Sequence, residues 1–220
     1  MKKNSLTLLQ PPDLTTLALL SALWAVIEIV AGFTLQAWNI PFRGSVLAAI
    51  SVGILIVGRV SVPKPGTAVM MGLIVSFLKI IHLGGVAIYP LIAIVAESTL
   101  VELALWKARP QQWRYRLAGA LALIWALIHP FLAQGLLAGW GVLKVYALLV
   151  ERGAVLVGTR QGAVVIAFLL GVHVGIGIVA GWYAERFTHM LTNRIRGAAV
   201  LPEGIRSPVL TARRHQIDLS

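Results

Sequence analysis

Cysteine is missing altogether, and acid is scarce: 8 Asp and Glu stand against 19 Lys and Arg in 220 residues. The first absence excludes disulfides and thiolate chemistry, without fixing a compartment. Charge of either sign makes up only 12% of the chain, while hydrophobic residues make up 58%. A soluble domain of this length would expose too much apolar surface, so the composition is that of an integral membrane protein. Enzyme signatures are lacking too. There is no Gly-x-x-x-x-Gly-Lys-Ser/Thr loop, no His-Glu-x-x-His and no Gly-x-Ser-x-Gly, so the chain is not itself a P-loop ATPase.

What is present is a series of long apolar blocks, with a mean hydropathy of +0.85. Each is about twenty residues long, enough for a helix to cross roughly 30 Å of hydrocarbon. The alternation of barrel strands is not seen. Residues 14–35 form the first expected span, reading LTTLALLSALWAVIEIVAGFTL. It is too long for a signal-peptide core and is kept as a membrane helix. Asp13 is its expected N-cap. Further spans are expected at about 45–60, 67–83, 86–106, 117–140 and 162–183. His129-Pro130 lies inside the fifth, where proline should kink the helix. Residues 141–160 read as a loop with an interfacial helix.

Charge placement then sets topology. The formal net charge of +11 points less to nucleic acid than to orientation, because the basic residues fall between and after apolar blocks. Lys2, Lys3, Arg59, Lys64, Lys107, Arg109, Arg114, Arg116, Arg186 and the tail arginines Arg194, Arg196, Arg206, Arg213 and Arg214 share one side. The other side has Arg43, Lys144, Arg152 and Arg160. The positive-inside rule makes both termini cytoplasmic. The expected fold is an all-α integral membrane protein: a compact bundle of six transmembrane helices over residues 14–186. A short cytoplasmic segment, 1–13, precedes it, and a basic, mobile cytoplasmic tail, 187–220, follows.

Ionisable residues inside spans are expensive and should face the bundle interior or a watery cavity. Glu28, Lys79 and His129 fall in the outer halves of their helices, and Glu97 and His173 near mid-depth. They are gathered into an expected outer pocket in which Lys79 neutralises Glu28 or Glu97. Trp24, Trp38, Tyr89 and Trp125 are candidates for flat faces against a ring-shaped ligand. The bland alternatives are a structural Glu28–Lys79 ion pair and a His129 that bonds a carbonyl freed by the proline. His82 reads as an interface residue. Glu102 is expected to snorkel toward Lys107 or Arg109. The histidine spacing asks for no metal or haem, and no catalytic residue or cofactor is expected.

Ala18 and Ala22, one turn apart in the first span, would leave a groove where another helix can approach. With six helices, cytoplasmic termini and this length, that Ala-x-x-x-Ala resembles the substrate-binding S component of energy-coupling factor (ECF) transporters. Such a component would capture a vitamin or its precursor near the outer face. It would dock through Ala18 and Ala22 on a transmembrane coupling subunit, which joins two cytoplasmic ATPases. The Lys64-Pro65-Gly66-Thr67-Ala68 turn, the short Gly84-Gly85 connection and the Glu102-Leu103 ending are similar to members of the thiamine or hydroxymethylpyrimidine-precursor type. Met1-Lys2 departs from the Met-His start of the nickel and cobalt members, which counts against a metal substrate. Two readings of other classes stand beside this one: a structural scaffold of a cell-envelope complex, and an intramembrane enzyme using Glu97, His129 and His173.

Overall fold

The computed structural model describes residues 9–40, 42–83, 88–107, 110–139 and 161–199, with isolated positions between 141 and 158. Among the described residues there are six helices: α1 (Pro11–Ala37), α2 (Arg43–Ser61), α3 (Thr67–Leu83), α4 (Ile88–Ala104), α5 (Gln112–Ala138) and α6 (Gly162–Ala199). Four are long and apolar enough to cross a membrane: α1, α2, the Gln112–Ala133 part of α5 and the Gly162–Leu191 part of α6. The Thr67–Ile81 part of α3 is a shorter apolar segment. These are the helices of a membrane-embedded, all-α protein. The interfacial helix expected within 141–160, the Gly84-Gly85 connection and the tail beyond 199 lie outside the described residues, as does the His82 side chain.

The helices carry their apolar surface outward. Leu19, Leu23, Val26, Val30, Leu73, Phe77, Ile81, Phe168, Ile176 and Val179 are all exposed, the inverse of a soluble bundle. Inside, α2 is the central element, touching α1, α3, α4 and α5. Its buried face runs Ser45, Ala48, Ser51, Val52, Leu55, Ile56 and Arg59, a stripe at helical spacing. Trp24, Leu17, Leu55, Met71, Val75, Val101 and Leu123 fill the core around it.

α6 reaches the bundle by close backbone approach. A side-chain carbon added at Gly177 would strike the backbone of Gly119 and Ala120, and one at Gly181 would strike that of Tyr115. Gly177-x-x-x-Gly181 is thus a helix-packing surface laid against α5. The chain divides after Arg186 into two compact units. Residues 187–199, expected as part of a mobile tail, are instead helical, as the last thirteen residues of α6.

One end of the bundle is closed by charge. Glu102, 4% exposed, lies 3.2 Å from Arg59 Nε. Its carboxylate also accepts the backbone N–H of Gly66 at 2.9 Å and of Ala68 at 2.8 Å, capping the start of α3. Glycine at 66 allows the turn, since its φ is +86°. Arg114 Nη1 donates to the Ala104 carbonyl at 3.2 Å. The expectation that Glu102 snorkels toward Lys107 or Arg109 is therefore corrected: a buried guanidinium and two backbone donors satisfy it better than water would.

The cap of α1 also differs from expectation. Gln10 occupies the N-cap, and Asp13 sits at the third helical position, accepting the Gln10 N–H at 2.8 Å. This leaves Asp13 able to reach Lys64, whose Nζ is 2.6 Å away. The Lys64 hydrogen bond, with the Gln10 N–H second, holds the Asp13 carboxyl below its ordinary value of 3.8. Stability from this tie is present above that value and is lost as pH falls through the depressed one. Acid titration of the thermal midpoint should show this loss, and Asp13→Asn should flatten it. In the α5–α6 seam, Gly177→Val is expected to cost about 1–3 kcal/mol by overpacking. Gly175→Ala, where nothing lies within 4 Å, should leave the midpoint in detergent unchanged.

Candidate functional site

The opposite end, where α1 finishes and α2 begins, is open. A cavity of about 630 Å³ is walled there by residues of α1 to α5, among them Glu28, Lys79, Glu97 and His129. With Arg43 at the start of α2, five ionisable side chains from five helices therefore line one cavity. The lysine meets its carboxylate: Lys79 Nζ is 2.8 Å from Glu28 Oε2, with their side chains 16% and 8% exposed. Glu97, 6% exposed, accepts the Ser51 hydroxyl of α2; Ser51 also lies 3.0 Å from the Ala48 carbonyl. Glu97 is close enough to Glu28 and Lys79 to feel both charges. The polar floor is thus a triad of two glutamate carboxyl groups and one ammonium.

His129 bonds the Tyr89 carbonyl at 3.0 Å through Nε2. A carbonyl only accepts, so Nε2 carries the proton and, in the neutral ring, Nδ1 keeps the lone pair. The bond runs to α4 and not, as expected, to a carbonyl freed by Pro130 in its own helix, and His129 also lines the cavity. The Trp125 ring stands 5.6 Å from its ring, and Trp125 Nε1 donates to Ala93 O at 3.1 Å, fixing the indole. Ile29, Phe33, Leu47, Ile94 and Phe131 supply apolar wall. Gln36, Phe42 and Arg43 belong to the turn side of the cavity.

His173 does not line the cavity. It is 3% exposed, with Nδ1 donating to Leu169 O at 2.8 Å and Nε2 accepting the Ser45 hydroxyl at 2.8 Å. Phe42 meets its ring edge-on at 5.5 Å. Phe42, Gly44 and Ser45 do line the cavity, so His173 positions the rim from outside it. Phe42 sits in the left-handed region, with φ of 55°, a strained conformation for an aromatic residue. His173 braces this turn through Ser45 and Phe42, and the Phe42 carbonyl accepts the Ser45 N–H at 2.8 Å.

Of the other expected site residues, Trp38 is 72% exposed and away from the cavity, in keeping with an interfacial tryptophan. Tyr89 contributes its carbonyl to His129 rather than a ring to the wall. Trp24 is fully buried in the core. Ser51 and Ser45 were not anticipated. Their signal was available as polar residues on the same stripe as Ala48, Val52 and Leu55. Ala18 and Ala22 are exposed on the outer face of α1. Among the described residues, no group of three or more His, Asp or Glu is placed to hold a metal ion. In comparison with known proteins, the chain matches no family model, no curated protein and no solved structure.

The Glu28–Lys79 pair is shielded enough for loss of one partner to be costly. Lys79→Met leaves a carboxylate unpaired and is expected to destabilise by about 3–5 kcal/mol. Glu28→Gln/Lys79→Met should recover most of that loss. Equal midpoints for the single and double variants would show that the pair carries no coupling.

Proposed function

We propose that the protein is the substrate-capture subunit of an ATP-driven importer, an S component of the energy-coupling factor type. In this reading six spans place both termini in the cytoplasm, and the cavity faces outward in the cell membrane. It takes up a vitamin or vitamin precursor. The observation that carries the reading is the cavity itself: about 630 Å³, within the range of small-molecule sites, mostly apolar, with a few convergent polar groups.

The chemistry of the wall points to a ring bearing hydrogen-bond donors or positive charge. Glu97 is held by a neutral serine, and Glu28 and Lys79 largely cancel each other, so the floor favours a cation or a donor-rich ring. Trp125, Phe33 and Phe131 offer aromatic surface to it. A thiamine or hydroxymethylpyrimidine-like molecule fits that description. Arg43, at the start of α2, stands ready for an anionic or polar tail at the mouth.

Energy must come from elsewhere, because the chain has no P-loop. The small residues Ala18 and Ala22 lie exposed among Leu19 and Leu23, which supports docking of α1 on a coupling subunit that joins two ATPases. Two of the motifs resembling the thiamine-type members meet: Glu102 caps the helix that follows Lys64-Pro65-Gly66. The scaffold reading leaves the cavity without a purpose. The enzyme reading needs His173 beside Glu97 and His129, whereas His173 is engaged by Ser45 and Leu169.

Mass spectrometry of small molecules released from detergent-purified protein tests the proposal. A bound vitamin-like compound, lost in Glu28→Gln, is the expected result. An empty protein that also ignores added thiamine and its pyrimidine precursor would refute it. For docking, Ala18→Trp should abolish uptake by cells while leaving ligand binding intact.

A further inference from the structure

The polar floor of the cavity is already occupied in one sense. Lys79 Nζ sits 2.8 Å from Glu28 Oε2, and both residues line the cavity. An ammonium therefore fills the position that an incoming positive group would seek. Lysine suits such a role better than arginine. Its charge is compact, its four-carbon stem flexible, and it makes no two-pronged lock on the carboxylate. A second carboxyl group, that of Glu97, lines the same cavity.

The geometry points to Lys79 as a tethered stand-in for the ligand's cationic group: it neutralises Glu28 while the cavity is empty, and a bound ammonium or aromatic cation displaces it toward Glu97. This rests on the reading of the cavity as a ligand site, and it adds a selection rule. A cation replaces the ammonium on Glu28 charge for charge, whereas a neutral ring must offer that carboxylate hydrogen-bond donors instead. Lys79 thereby sets both which ligands enter and how tightly they are held, because each must first break a formed ion pair.

The rule can be tested without knowing the ligand, by rescue with small amines. Lys79→Ala empties the ammonium position. In purified protein in detergent, methylammonium and benzylammonium should raise the thermal midpoint of Lys79→Ala saturably. They should act at concentrations about tenfold lower than in the wild type, where they compete with the tether. Sodium chloride at equal ionic strength and benzyl alcohol should do neither, and the response should vanish in Glu28→Gln/Lys79→Ala. Should Lys79→Ala not fold, Lys79→Ser carries the same titration.

Equal responses in wild type and variant, or none in either, would overturn the assignment and mark the pair as a sealed structural bridge. Stabilisation of the wild type by benzoate, lost in Lys79→Ala, would also overturn it, by showing that Lys79 recruits an anion itself. The outcome is separate from that of the released-compound experiment. Amine rescue reads the carboxylate site alone, and it can succeed in a protein from which no vitamin is released.

Discussion

An ion inside a membrane must find a partner, and in this chain that requirement decides which helices meet. Glu28 joins α1 to α3 through Lys79, Glu97 joins α4 to α2 through Ser51, and Glu102 joins α4 to both Arg59 of α2 and the start of α3. Lipid offers little hydrophobic force between helices. Polar links of this kind, with close backbone seams such as Gly119 against Gly177, therefore carry the specificity that a water-excluding core supplies elsewhere. Each link is costly to break, because the group left behind has nowhere to be solvated.

The links differ at the two ends of the bundle, and that asymmetry underlies the proposed function. At one end Glu102 is met by the Arg59 guanidinium and two backbone N–H groups, which tie that end together. Around Glu28, Lys79 and Glu97 the polar groups line a cavity, with Lys79 paired to Glu28 and Glu97 bonded to the Ser51 hydroxyl. The rim of that space is a strained turn at Phe42, steadied by His173. A rigid closed end opposite a poised open one is an arrangement suited to capture.

Much of this was legible in the sequence, for a simple reason. A lysine in the apolar run 67–83 must be neutralised, and Glu28 and Glu97 were the acids at comparable depth. Glu102 misled because Lys107 and Arg109 are near it in the chain, whereas its partners Arg59 and Gly66 come from another helix and a turn. His173 misled in the opposite way: its depth was right for a cavity, but depth says nothing of which face of α6 it occupies. Trp38 is exposed at the end of α1, away from the cavity that its aromatic character suggested for it. Ser51 went unnoticed because one hydroxyl scarcely lowers the hydropathy of a span. The length of α6 beyond Arg186 was hidden by arginines that read equally well as tail.

The most direct test is whether water reaches the cavity from outside. The chain has no cysteine of its own, so single cysteines report cleanly. Ala126→Cys, on the cavity wall, should react with a small membrane-impermeant thiol reagent added to intact cells. Ala68→Cys, fully buried at the closed end, should not react. Reaction at Ala126 from the outer side would establish an outward-opening site. An Ala126 thiol that stays unreactive, or reacts only once the inner face is exposed, would contradict outward capture.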